Sequence, residues 1–419
     1  MHILFLHGNY PAQFHGQARS LAADPRHRVV FATEREAVPA TEIPPGLELV
    51  TLEPHRQPSA TIHPYLKAHE EAVLLGQAVV RQLLALQERG FRPRLVIFHA
   101  GRGLGIFLRQ LLPEATLVAY CEWYFKTADL PWLWGEAPLD SVLRIGLRNH
   151  VLVQELVEAD LAITPTHWQR QQFPPGLQNQ LEVVFDGVDT AYFKPGPTAH
   201  TPLLLQPEGE STPLEIGPEA IVLSYTTRGM EPLRGFPEFL RALPQLLATF
   251  PELHVVIAGR DRQAYSYAAP SHGGSWKEHL LAELGPFPGR ERVHFTGLIP
   301  YGQLRALMQR TDLHVYLSRP YVTSWSLFQA AACGAPIAMN QGPATTDVLP
   351  EAAFATLDLD QPGGIAAALQ TALERSLTQR GQPRRSTLPA EYALETCQER
   401  WQRLVNQALR KNGLSAKGP

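Results

Sequence analysis

The feature that most constrains this chain is an alternation that occurs twice. Short apolar runs alternate with longer segments of helical period. In the first stretch the runs are Ile3–Leu6, Val29–Ala32, Leu47–Leu52, Leu95–Phe98, Thr116–Tyr120 and Leu161–Thr164. In the second they are Ile221–Tyr225, Leu253–Ala258, Val293–Thr296, Leu313–Leu317 and Pro336–Met339. A strand apolar at nearly every position is buried on both faces, as in a parallel sheet covered by helices. Leu47–Leu52 is interrupted by Glu48 and Thr51, which places it nearer a sheet edge. The pattern predicts an α/β chain with two parallel sheets.

Proline divides the two stretches. The chain has 37 prolines in 419 residues, about 9% against an average near 5%. Six of them, at 195, 197, 202, 207, 213 and 218, fall between Lys194 and Pro218, and that segment predicts a linker. The expected organisation is one α/β domain over residues 1–193, a linker over 194–218, a second domain over 219–389 and a final helix over 390–412. The clearest helix of the first half runs from about Tyr65 to Arg89, with Leu66, Val73, Val80 and Leu84 on one face. The last helix, about Tyr392 to Lys411, carries Leu394, Cys397, Trp401, Leu404 and Ala408 at steps of three and four. That stripe must pack on something. Gly413 to Pro419 reads as a disordered tail.

Charge and cysteine exclude several classes. There are 37 Lys+Arg against 40 Asp+Glu, a net charge of −3, so the chain is not a nucleic-acid binder by charge. Cys121, Cys333 and Cys397 are too few and too far apart for a disulfide framework or a zinc site, and a reducing compartment fits them best. The start, Met1 to His7, lacks the basic flank of a signal peptide. No run approaches 18 apolar residues, so no membrane span is expected and the expected location is cytoplasmic.

Five segments carry candidate chemistry. His7-Gly-Asn-Tyr-Pro-Ala-Gln-Phe14 follows the first strand, at the strand end where ligands of open α/β sheets sit. Gly8 permits close backbone approach, and Asn9 and Gln13 offer amide groups. An ordinary βα turn is the plain alternative. Ala100-Gly-Arg-Gly-Leu-Gly105 is glycine-rich but lacks the dinucleotide spacing, and reads as a tight turn before a closely packed helix. His99, ahead of it, points to the same edge as His7; either can equally be a core histidine. Tyr120-Cys-Glu-Trp-Tyr-Phe125 sets Glu122 among aromatics, where a carboxylate must be paired or used. Thr227 to Gly235 holds Arg228 and Arg234 in a glycine-flanked loop, suited to bidentate diphosphate binding as well as to surface ion pairs. Thr323 or Ser324 can cap a helix running to Cys333, with Gly334 beyond it, and the first amides of that helix can face an anion.

Four pieces, in order, resemble glycosyltransferase family 4. Phe185-Asp-Gly-Val-Asp-Thr-Ala-Tyr-Phe193 is similar to that family's inter-domain signature, and Arg228…Arg234-Gly235 to its Arg…Lys-Gly phosphate clamp. Leu298 to Leu304 followed by Thr311 to Leu317 resembles the run into its donor pocket. Ser324 to Pro336 is similar to its donor-site helix ending in Cys-Gly-x-Pro. The N-terminal half resembles a subgroup with Asn-Tyr/Phe-Pro-x-Gln-Phe at the first turn and Pro-Thr-x-Trp-Gln before the linker, here Pro165 to Gln169.

The resemblance implies a GT-B fold: two Rossmann-like domains facing a cleft, with the C-terminal helix crossing back to the N-terminal domain. It implies a retaining, metal-independent transfer of a sugar from a UDP- or GDP-sugar, with no cofactor. The acceptor would be a sugar or lipid-linked molecule of cell-envelope polysaccharide or glycolipid synthesis. Arg228 and Arg234 would stabilise the diphosphate leaving group with the amides near Thr323 and Ser324. Gly8, Tyr321 and Gln329 complete the implied donor set; Asn9, His99 and Glu122 form the acceptor set, with Glu122 also a catalytic candidate. The chain departs from the family where two glutamates stand, at Tyr321 and Gln329, and where a histidine stands, at Glu122 or Cys121. Glutamine keeps an acceptor oxygen but not the charge. These departures motivate an alternative, a GT-B-like nucleotide-sugar-binding or partner protein with weak or no catalysis, and a GT-B epimerase is a third reading. Ser141 to Val157, with Arg144 and Arg148 among aliphatic residues, reads as an amphipathic helix that packs on the protein or docks on anionic lipid.

Overall fold

The computed structural model describes residues 1–135, 138–196 and 201–413. The predicted tail beyond 413, and part of the predicted linker, lie outside the described residues. The chain forms two compact units. The first holds residues 1–127, 138–187 and the C-terminal helix from Leu394; the second holds the segment from Ala128 and Val188–Ala393.

The first unit is built on a seven-stranded parallel sheet. Its strands are β1 (His2–His7), β2 (Arg28–Thr33), β3 (Leu47–Thr51), β4 (Leu95–His99), β5 (Thr116–Tyr120), β6 (Leu161–Thr164) and β7 (Leu181–Val183), in the order β3-β2-β1-β4-β5-β6-β7. The interrupted strand β3 is an edge. Strand β7, with Glu182 at its centre, is too short to show a period in sequence. Alternate side chains serve the two faces. Leu4, Leu6, Val30, Ala32, Val96 and Phe98 pack with Leu75, Val79, Leu83 and Leu86 of the helix Lys67–Glu88. The expected face of that helix is therefore wrong: Leu66 and Leu84 are exposed. The helix carries two aliphatic stripes, and only the stripe through Leu75, Val79 and Leu83 meets the sheet.

The helix Leu394–Lys411 lies against β5, β6 and the helix His15–Ala22 of the same unit. It buries Cys397, Trp401, Val405, Ala408 and Leu409. Trp401 stacks on Tyr120 with ring centres 6.2 Å apart. Gly187 adopts φ +94°, and a Cβ there would lie 2.6 Å from the Leu394 Cα, so only glycine admits the start of this helix.

Two short antiparallel strands, β8 (Leu203–Leu205) and β9 (Leu214–Ile216), open the second unit. Its six-stranded parallel sheet comprises β10 (Ile221–Gly229), β11 (Leu253–Arg260), β12 (Val293–Gly297), β13 (Leu313–Tyr316), β14 (Ile337–Asn340) and β15 (Ala355–Leu357), in the order β12-β11-β10-β13-β14-β15. Helices Phe236–Thr249 and Ala366–Leu377 cover one face. On the other, Leu203, Leu205 and Ile216 pack with Val222, Val256, Ala258 and Leu307. The predicted linker thus carries structure: Pro202 and Pro213 border β8 and β9, whose apolar residues belong to the second core. The chain passes from the first unit to the second at Gly187–Val188, not at residue 193.

Two further differences are local. Residues 128–135, with the short helix Leu130–Trp134, belong to the second unit. There the Trp132 carbonyl accepts the Ser266 hydroxyl at 2.5 Å, and the Arg319 guanidinium lies 4.3 Å from the Trp132 ring centre. The predicted helix across Ser141–Val157 is two helices, Leu139–Arg148 and His150–Glu158, broken at Asn149. The Asn149 amide bonds both the N–H and the carbonyl of Phe125, at 2.9 and 2.8 Å, and so pins the segment after β5.

Candidate active site

In the second unit, β10 ends in the loop that carries both candidate arginines. Arg234 is 6% exposed and donates to Ser318 Oγ at 2.8 Å, while Arg228 is exposed and donates to the Tyr265 hydroxyl at 2.9 Å. Both guanidiniums lie over the Tyr265 ring, 5.6 and 5.7 Å from its centre. Tyr321 packs beside the same ring at 5.3 Å. Among the described residues neither arginine forms an ion pair with a carboxylate, so both charges stay available to an anion. Ser318 is fixed in turn by Asn340, which takes its N–H at 2.8 Å and returns an amide bond to its carbonyl at 2.9 Å.

The predicted helix near Tyr321 forms as Trp325–Ala332, with Ser324 at the N-cap position and Gly334 beyond the end at φ +67°. One amide expected to face an anion, and the hydroxyl of the residue before it, are occupied inside the protein. The Ser324 N–H donates to the Tyr316 hydroxyl at 2.9 Å, and the Thr323 hydroxyl donates to the Ala344 carbonyl at 2.7 Å. Gln329 is buried beside the Tyr301 hydroxyl. In the run Thr311 to Leu317, Asp312 accepts Arg310 at 3.0 Å and the Val222 N–H at 2.8 Å, and His314 meets Ser224 Oγ at 2.9 Å. Those side chains hold β13 to β10.

In the first unit, the carboxyl ends of β1, β4 and β5 gather a second constellation. The Gln13 amide donates to Glu122 Oε1 at 2.8 Å, and His99 Nε2 lies 3.5 Å from Glu122 Oε2. Burial raises the Glu122 carboxyl, but the hydrogen bonds from His99 and Gln13 and the charge of His99 outweigh it, so the net shift is downward. His7 stands edge-on to His99 at 4.7 Å. Its Nδ1 accepts the Asn9 N–H at 2.9 Å, which places the ring proton on Nε2. Burial first, and then His99, push His7 down to about 3, so it is neutral.

The register of β5 separates Cys121 from Glu122. Cys121 is buried in the core, where desolvation pushes its thiol up. Glu122 faces the site. Pro165 to Gln169 braces it: Thr166 caps the following helix by accepting the Gln169 N–H at 3.1 Å, and the Gln169 amide bonds the Glu122 carbonyl at 2.8 Å. Asn9 accepts the Tyr10 N–H at 2.9 Å. Gly8, expected to admit a ligand, has its open side filled by the Arg102 guanidinium and the Glu34 carboxylate.

The glycine-rich turn after β4 also folds around an internal acid, whose carboxyl burial pushes up to about 7. The buried Glu155 carboxyl group accepts the N–H groups of Gly101 and Gly105, at 2.5 and 2.6 Å. Tyr265 lies in none of the segments singled out from sequence; Asp186, quoted there as part of the inter-domain signature, accepts the buried Tyr120 hydroxyl. Among the described residues no three His, Cys, Asp or Glu side chains gather to hold a metal ion, and no helix is long and apolar enough to cross a membrane.

Two Rossmann-like parallel sheets in one chain, with a final helix returning to the first unit, define the GT-B class. Residues 25–193 match the model of the glycosyl transferase family 4 group, and residues 216–382 match that of the glycosyl transferases group 1. The chain therefore belongs to the GT-B glycosyltransferases of the family 4 type. Among solved structures it is similar to HepE of Anabaena in complex with UDP, at 16% identity and TM-score 0.61 over 97% of this chain and 100% of that one. Sucrose-phosphate synthase from Thermosynechococcus elongatus matches at 16% identity and TM-score 0.66, over 98% and 100%. An UDP-N-acetylglucosamine 2-epimerase from Listeria monocytogenes shares the fold at 11% identity and TM-score 0.55, over 100% and 99%. No curated protein sequence matches the chain.

Proposed function

We propose that this glycosyltransferase moves a sugar from a UDP- or GDP-sugar to a sugar or lipid-linked acceptor, with retention at the anomeric carbon and without a required metal ion. The observation that carries the reading is the pair Arg228 and Arg234, two guanidiniums on one ring, neither of them ion-paired with a carboxylate among the described residues. Two fixed positive charges supply what a departing diphosphate needs as its bond to the anomeric carbon lengthens. The neighbours HepE with UDP and HepE with UDP-glucose support a nucleotide-sugar donor.

In this reading the anomeric C–O bond to the diphosphate breaks, the acceptor oxygen bonds to the same carbon, and the diphosphate leaves with the bond electrons. Glu122, held ionised by Gln13 and His99, receives the hydrogen bond of the acceptor hydroxyl and takes its proton. Gln329 and Tyr321 contact the nucleoside side of the donor. Cell-envelope polysaccharide or glycolipid synthesis is the setting that the family resemblance suggests. Exposed Leu139 and Leu143 beside Arg144 support contact with an anionic lipid surface, which liposome sedimentation tests.

A panel of UDP-, GDP- and dTDP-sugars in a thermal-unfolding assay tests the donor. A ligand that binds only the folded chain raises its midpoint. One nucleotide class is expected to stabilise the chain and to be hydrolysed or transferred slowly; stabilisation without turnover of any donor would favour a binding protein instead.

A further inference from the structure

Tyr265 has no place in the sequence signatures, yet it sits where both arginines meet. We infer that Tyr265 is the positioning residue of the donor site: its ring sets the separation of Arg228 and Arg234 so that each engages a different phosphate of a nucleoside diphosphate. The inference rests on the donor reading above.

Three observations support it. First, both guanidiniums lie at nearly the same distance from the ring, and its hydroxyl takes a hydrogen bond from Arg228 at 2.9 Å. Arginines are commonly aligned by carboxylates, but a carboxylate here would neutralise the charge that phosphate must meet. An aromatic face orients a guanidinium by cation–π attraction and leaves its N–H groups at the edge for an anion.

Second, the loop that presents the ring is locked. The fully buried Glu231 carboxylate accepts three successive amides, Ala264, Tyr265 and Ser266, at 2.8, 3.0 and 2.9 Å through one oxygen. Glu231 lies between the two arginines in sequence, yet its charge is turned to the backbone of the Tyr265 loop. It therefore ties the loop to the arginine segment without pairing with either arginine.

Third, the same loop is held at two more points. Ser266 Oγ donates to the Trp132 carbonyl, and Arg262 Nε donates to the Arg228 carbonyl at 3.3 Å. Gly229 permits that approach, because a Cβ there would lie 2.5 Å from the Arg262 carbonyl oxygen.

A positioning role predicts a split between diphosphates and monophosphates, since one phosphate needs only one guanidinium. Titration calorimetry of the full chain with UDP, UMP, GDP and GMP reads it. Tyr265→Ala is expected to weaken the preferred diphosphate at least tenfold and the matching monophosphate less than twofold. Tyr265→Phe, which keeps the ring and the packing, is expected to lose about threefold through the missing hydroxyl bond to Arg228. Equal losses for both nucleotides, or diphosphate affinity lost in Arg228→Ala and Arg234→Ala but kept in Tyr265→Ala, would overturn the positioning role. Unchanged affinity in both arginine variants would overturn the donor reading itself. If Tyr265→Ala fails to fold, Tyr265→Phe and Tyr265→Leu decide: the inference fails unless leucine loses clearly more diphosphate affinity than phenylalanine.

Discussion

Gly105 donates its backbone N–H to the buried Glu155 carboxyl group at 2.6 Å, so the acceptor held by this glycine-rich turn is part of the protein. Glu155→Gln replaces one acceptor oxygen with an N–H2 group facing backbone donors. It is expected to destabilise the chain by about 2–4 kcal/mol, because buried amides lose their partner. Urea unfolding measures this. Gly103→Ala is expected to be as damaging, since its Cβ would overlap the Ala72 carbonyl at φ +96°.

His314 gives a pH dependence of known sign. Complete burial pushes it from the usual 6.5 down to about 3, so it stays neutral in the folded chain while the unfolded chain takes up a proton below 6.5. Its contribution to stability is complete above pH 6.5 and is lost as pH falls toward 3. Between pH 7.5 and pH 5 that loss is about 2 kcal/mol. Urea midpoints of the wild type and His314→Gln at the two pH values test this. The variant is expected to show a pH difference smaller by about that amount, and an equal difference would exclude the assignment.

Glu122→Gln keeps the shape of the acceptor constellation and removes its charge. Transfer to an acceptor is expected to fall about 10²-fold or more, while nucleotide affinity stays within twofold. Donor titration and product formation on the same preparation separate the two effects. Loss of nucleotide affinity would move Glu122 out of the acceptor role.

Gln329→Ala removes one neutral hydrogen-bonding group from the donor side. The donor KM is expected to rise about fivefold with kcat unchanged, the effect of one hydrogen bond worth about 1 kcal/mol. Initial rates over a range of donor concentrations check it. A fall in kcat at constant KM would give Gln329 a part in the chemistry.

The sequence made the fold legible where burial leaves a continuous apolar run. Ten of the strands coincide with such runs, because a parallel strand between helices is largely shielded from water, and the interrupted run Leu47–Leu52 marks the edge strand β3. It did not reveal β7, β8, β9 or β15, three-residue strands too short for any period. It misjudged the segment rich in proline, because proline marks element borders as well as linkers and Leu203, Leu205 and Ile216 carry a core between them. Arg228, Arg234 and Tyr321 in the second unit, and His99 and Glu122 in the first, were singled out from sequence by residue type and by their place after a strand. Thr323 and Ser324 were read as open to a ligand because sequence does not show that Tyr316 and Ala344 claim them. Tyr265 was not legible. Its loop has no period, and what fixes it is a glutamate 34 residues earlier.

The central claim is that Arg228 and Arg234 hold the diphosphate of a sugar donor. The most direct measurement is release of nucleoside diphosphate from the stabilising nucleotide sugar, with and without acceptor, by the wild type and by Arg234→Ala. The account predicts turnover by the wild type and a loss of about 10²-fold or more in kcat/KM for the variant, the scale of removing one donor to a developing anion. Equal turnover by both proteins, with equal donor affinity, would contradict it.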